Sequence, residues 1–109
     1  MDKKAKLPQD EIQRRADCLM EKMGNIEGST SKRMFGGAGI FIDGKMFAMV
    51  TGHGHFAMKT DAETAEKYEG MGAERFMRMP YHLIPEDIMN DKQAFMNWVE
   101  EAIQIALKK

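Results

Sequence analysis

The stretch that most constrains what this chain can fold into covers residues 33–50, Arg-Met-Phe-Gly-Gly-Ala-Gly-Ile-Phe-Ile-Asp-Gly-Lys-Met-Phe-Ala-Met-Val. Three glycines in four positions, 36–39, lead into two apolar runs joined by Asp43-Gly44. A two-residue type I′ turn needs φ > 0 at both central residues, and Asp-Gly supplies that. Segments 40–42 and 45–50 are therefore predicted to pair antiparallel. The glycine cluster is predicted to be a bend or bulge where only residues without a Cβ fit comfortably. It does not suit a phosphate loop. The dinucleotide fingerprint opens a helix whose N-terminus attracts phosphate, whereas these glycines open another strand.

Two further strands are predicted, at 32–35 and 55–59, with a turn at 51–54. Connections this short cannot make parallel crossovers, so the sheet should be a meander. A helix over 8–23 precedes it. Pro8 suits its first turn, Asp10 and Glu11 suit the positive end of its dipole, and Gly24 stops it. Ile12, Ala16, Leu19, Met20 and Met23 make its apolar stripe. Residues 25–31 read as a polar loop.

Beyond the meander, Asp61 is a natural N-cap for a helix to about residue 69, ended by Gly70 and Gly72. Ala62, Ala65 and Tyr68 give that helix a thin apolar side. Segments 74–79 and 81–84 read as two strand-like pieces broken at Pro80, and 85–87 starts a short helical turn. The longest helix is predicted over 91–108, with Phe95, Trp98, Val99, Ala102, Ile105 and Ala106 on one side. Met96, Ile103 and Leu107 widen its apolar face to about half the circumference, more than one packing partner needs. Either the helix is sandwiched between the sheet and another element, or that face is a homodimer or partner surface.

Length bounds the rest. A chain of 109 residues makes one domain, 1–109, with a core large enough to need no metal or disulfide staple. Residues 1–7 are charged at their start and read as a flexible tail. The net charge of −1 argues against direct nucleic-acid binding, which leaves a basic footprint. No apolar run is long enough to span a bilayer and no secretory h-region is present, so a cytoplasmic protein is expected.

Chemistry-bearing residues are sparse. Cys18 is the single cysteine and lies off the stripe of its helix, beside Arg14 and Arg15. It reads as a half-exposed bystander, because a reactive thiol needs a setting that lowers its pKa. His53 and His55 would share a face if extended, but a metal site needs a third ligand, which only Cys18 or His82 could bring. No metal and no cofactor are expected. No nucleophile–base pair or carboxylate pair stands at a catalytic spacing, so the chain is not read as an enzyme. The twelve methionines suit an irregular core better than a binding groove. Lys32, Arg33 and Lys59, with Arg75 and Arg78, are the one candidate basic patch, although the charge balance favours reading them as an ordinary solvated face.

Taken together, several stretches resemble the N-terminal domain of the TfoX (Sxy) family of bacterial competence regulators. They are Arg33-Met34-Phe35-Gly36-Gly37-x-Gly39-Ile40-Phe41, Met46-Phe47-Ala48-Met49-Val50 and Phe56-x-Met58-Lys59-x-Asp61. Tyr81-x-x-Ile84-Pro85-Glu86 and Trp98-x-x-x-Ala102 complete the set. The resemblance implies an α+β, two-layer fold in the order α-β(3)-α-β(2)-α, an antiparallel sheet with helices packed on it. There is one departure: full-length regulators carry a second, C-terminal helical domain, so this chain is expected to be a stand-alone N-terminal domain. The functional implication of the resemblance is transcription regulation and DNA transformation through protein contacts with a transcription activator or polymerase component, without catalytic residues. The partner-contact residues expected on that reading are Arg33, Lys59, Met96, Ile103 and Leu107. The alternative is a ligand- or metal-binding module of unrelated role on the same fold.

Overall fold

A computed structural model describes residues 6–34 and 36–108. The elements run α1 (Gln9–Lys22), β1 (Ser29–Met34), β2 (Gly37–Ile42), β3 (Lys45–Val50), β4 (Phe56–Lys59), α2 (Ala62–Glu69), β5 (Tyr81–Leu83), α3 (Glu86–Met89) and α4 (Lys92–Leu107). The five strands form one antiparallel sheet in chain order, β1-β2-β3-β4-β5. The fold is α+β, with the helices packed on one face of that sheet.

The Asp43-Gly44 turn forms as its residues dictate, with φ of 51° and 76° and Ile42 paired to Lys45. The glycine cluster behaves differently from the expected bend. Of its glycines, Gly36, at φ 78°, lies in the turn before β2, and residues 37–39 are regular strand. Gly37 and Gly39 are glycines because neighbours come close: a Cβ on Gly37 would lie 2.1 Å from the Val50 carbonyl oxygen, and one on Gly39 would meet Met46 Sδ at 2.6 Å. The irregularity sits instead on β3. The β2–β3 register shifts after Ile40↔Ala48 to Phe41↔Met46, so the extra residue Phe47 and its neighbour Ala48 both face the helices.

Four strands precede α2, as the residues themselves predicted, and one follows it, where the resemblance implied three and two. Residues 29–31, read as loop, open β1 by pairing with residues 40–42. Of segment 74–79, read as a strand, only Arg75 bridges to His82. The rest is a turn in which the Met79 N–H donates to the Phe76 carbonyl at 3.1 Å. Phe35, placed at the end of a strand by the sequence, lies outside the described residues, as does most of the expected tail over 1–7. Leu7 is held: its N–H donates to the Gly52 carbonyl at 2.9 Å.

The helix ends follow their residues. After α1, the Gly24 N–H reaches the Glu21 carbonyl and the Asn25 N–H that of Met20, a Schellman closure made feasible by Gly24 at φ 87°. The Asp61 carboxylate accepts from the Thr64 N–H at 2.9 Å, and the Thr64 hydroxyl accepts from the Asp61 N–H at 2.9 Å, which closes a capping box on α2. Asp91 caps α4 in the same way through the Ala94 N–H.

The main core lies between the sheet and the helices. Ile12, Ala16, Leu19 and Met23 of α1 meet Ala38, Ile40, Phe47 and Val50, while Phe95, Trp98, Val99 and Ala102 of α4 cover β3 and β4. Tyr68 of α2 stacks on Trp98 with ring centroids 3.9 Å apart and planes 9° from parallel. The Tyr68 hydroxyl bonds to the Glu101 carboxylate, which also pairs with Lys67 at 2.6 Å. Burial and that carboxylate push the Tyr68 phenol well above its usual pKa.

Candidate interaction surface

Strand register decides which side chains can act together, because neighbours along a strand point to opposite faces. Lys32 pairs with Gly39, Gly39 with Met49, Met49 with Ala57 and Ala57 with Leu83. This row lies on the face turned away from the helices. Arg33 pairs with Ala38, a core residue, and so belongs to the helix-side face at the β1 edge. Lys59 returns to the outer face, its Nζ 5.1 Å from the centre of the Tyr81 ring. Lys32 and Lys59 are separated by two intervening strands, which at about 4.8 Å per strand puts them roughly 15 Å apart. Arg75 donates to the Met79 carbonyl at 3.2 Å instead of joining them. The single basic patch drawn from Lys32, Arg33 and Lys59 does not assemble.

The remaining expected contacts lie on one shoulder of α4. Met96 and Ile103 are half-buried and pack against the main core, and Leu107 is 39 % exposed at the helix end. Next to it, Lys108 Nζ lies 3.8 Å from the Asp61 carboxylate, a solvated pair of small energetic weight.

The three histidines also separate. His53 and His55 sit exposed in the turn between β3 and β4, and His82 is fully buried on β5. His82 Nδ1 lies 2.9 Å from Thr60 Oγ1 and its Nε2 lies 2.6 Å from Glu69 Oε2. This pairing ties the end of α2 to the sheet. Among the described residues, no three of His, Cys, Asp and Glu stand close enough to hold a metal ion. Cys18 is an exposed thiol on α1.

The outer face of the sheet carries a second apolar cluster that sequence patterning did not disclose. Met49, Ala57 and Tyr81 are buried there, with Met46, Phe76, Met79 and Leu83 half-buried around them. The Tyr81 hydroxyl donates to the Met46 carbonyl at 3.0 Å, and burial raises its pKa to about 12. Residues 74–79 fold back across this cluster. The Phe76 N–H donates to the Tyr81 carbonyl at 2.8 Å and the Leu83 N–H to the Glu74 carbonyl at 2.7 Å, so the segment also covers the β5 edge. Pro80, read from the sequence as the break between two strand-like pieces, is the signal for it, but the turn begins earlier, at Met77.

Among the described residues, no helix is long and apolar enough to cross a membrane. Comparison with known families matches residues 19–106 to the TfoX N-terminal domain. Comparison with curated proteins finds no match.

Proposed function

Because this chain belongs to the TfoX N-terminal domain family, we propose that it is a small cytoplasmic regulatory protein that works through protein contacts and performs no chemistry of its own. The observation that carries this reading is the family match over residues 19–106. On this reading the chain resembles competence regulators and acts on transcription with an activator or a polymerase component. Its self-association surface is the α4 shoulder, where Leu107 is exposed beside the half-buried Met96 and Ile103.

Affinity capture of the tagged chain from its host lysate, with and without nuclease, tests the regulatory reading. Recovery of a transcription activator or polymerase subunit after nuclease treatment supports it. Loss of the partner on nuclease treatment shifts the role to nucleic acid and overturns it. The self-association surface has its own test in light scattering of Leu107→Glu, which keeps the core intact. A wild-type dimer that becomes monomeric in this variant supports the surface, and a wild-type monomer removes it. Ile103→Glu is a poorer probe, because Ile103 packs partly against the core.

A further inference from the structure

We infer that the outer face of the sheet holds a binding site for a small molecule with an aromatic or acyl body and one anionic group. This goes beyond the regulatory reading and does not depend on it. The site is a cavity of about 510 Å³ between the end of β3 and the 74–79 segment. That volume is in the range of pockets that enclose metabolite-sized ligands.

Its walls are Met49, Phe76, Met77 and Met79, three thioethers and a phenyl ring. Methionine side chains adapt their shape and favour contact with aromatic rings, so this lining suits a flat or flexible apolar body. The ionisable residues lining it, among those described, are Lys6 and His53, both basic. An ammonium at the rim, with no carboxylate among the described lining residues, selects an anionic group over a cationic one. A larger opening on the other side of the β3–β4 turn lacks this character. It is lined by Arg15, Glu74 and Glu86 together, and Arg15 is already bonded to Glu11 and to the Gly54 carbonyl.

The rim carries a second, independent sign. Met77 has a left-handed backbone, φ 54°, and its side chain is 74 % exposed. A bulky L-residue is disfavoured in that region, and an apolar side chain gains nothing by standing in water. Strained residues of this kind are concentrated at binding sites. A bound apolar body would cover the Met77 side chain against Met49, Phe76 and Met79.

Methyl-labelled methionine NMR, titrated with 2-naphthoate and with 2-naphthol as its uncharged counterpart, tests the site. Saturable shifts of the Met49, Met77 and Met79 methyls by 2-naphthoate are expected, with those of Met23 and Met58 in the main core unmoved. Met77→Gly, which suits the left-handed backbone, should leave the fold intact and weaken 2-naphthoate binding about fivefold. Lys6→Glu should weaken 2-naphthoate about threefold and leave 2-naphthol unchanged. Absence of saturable shifts at millimolar probe, or equal shifts of the core methionines, would overturn the site. Equal affinity for the two probes would overturn its anion preference.

Discussion

The two faces of the sheet are built to different standards. On the helix side, α1 and α4 enclose Trp98, Phe47, Phe95, Ile12 and Leu19 with none of them more than 1 % exposed. On the outer side, Met49, Ala57 and Tyr81 are roofed, among the described residues, by a folded-back segment whose Phe76 and Met79 remain half in solvent. The helix side is a packed interior in which volume changes are felt directly. The outer side is thinly roofed, so its side chains can be exchanged at small cost to the fold. Stability is concentrated on one face, which leaves the other available for recognition.

The widest separation between the faces should appear on truncation. Trp98→Ala removes a fully buried ring and its stack on Tyr68 and should cost about 3–5 kcal/mol. That is a large part of the stability of a domain of this size. Partial relief comes from the Trp98 indole N–H, which is buried without an acceptor among the described residues. Phe76→Ala, on the outer face, should cost only about 1–2 kcal/mol. Urea midpoints measure both, and equal losses would erase the distinction.

Glycine substitutions sharpen it within the outer face itself. Gly37→Ala drives a methyl into the Val50 carbonyl, a backbone atom of the ladder that cannot step aside, and should cost about 3 kcal/mol. Gly39→Ala meets the side-chain ends of Met46, Phe41 and Met34, which can move, and should cost about 1 kcal/mol. Thermal denaturation of the two variants ranks them. A Gly39 variant as damaged as the Gly37 one would mean the outer face is packed as rigidly as the inner.

The smallest effect is electrostatic. The chain has two tyrosines, Tyr68 on the helix side and Tyr81 on the outer side. Both phenols are raised, Tyr81 to about 12 by burial and Tyr68 further by burial and Glu101. A phenol raised on folding stabilises the native state fully below its unfolded pKa of about 10. That contribution is lost as pH rises through the folded value, so for Tyr81 the window is from about 10 to about 12. Absorbance titration at phenolate wavelengths should show no step near 10. Tyr81 should ionise first, and Tyr68 only as the fold opens. A step near pH 10 would show that the outer roof admits water.

What could be read in the sequence was whatever a few adjacent residues decide alone. Asp43-Gly44, the Asp61 cap and the Gly24 stop act within a turn or two of chain, and each is found where its chemistry puts it. The errors arose where pairing partners decide. Residues 29–31 are serine and threonine, indistinguishable from loop until paired with residues 40–42. Segment 74–79 alternates like a strand, yet Met77 at φ 54° breaks the extended backbone. The basic patch failed for the same reason, since the faces of Arg33 and Lys59 are set by register and not by proximity in sequence. Met96 and Ile103 were visible as apolar, but how much of each the core covers depends on the tilt of α4 over β3 and β4.

Chain order and strand order coincide in this sheet, and that has a kinetic consequence. Each strand from β1 to β4 finds its partner across a short loop, so the meander closes at low entropic cost. Helix α4 must instead come back from the end of the chain to cover β3 and β4. The order of assembly expected from this topology is hairpins first and lid helix last, with few α4 contacts in the transition state. On that order, Trp98→Ala should speed unfolding while leaving refolding nearly unchanged in stopped-flow measurements. A matching slowdown of refolding would instead make α4 part of the nucleus on which the sheet condenses.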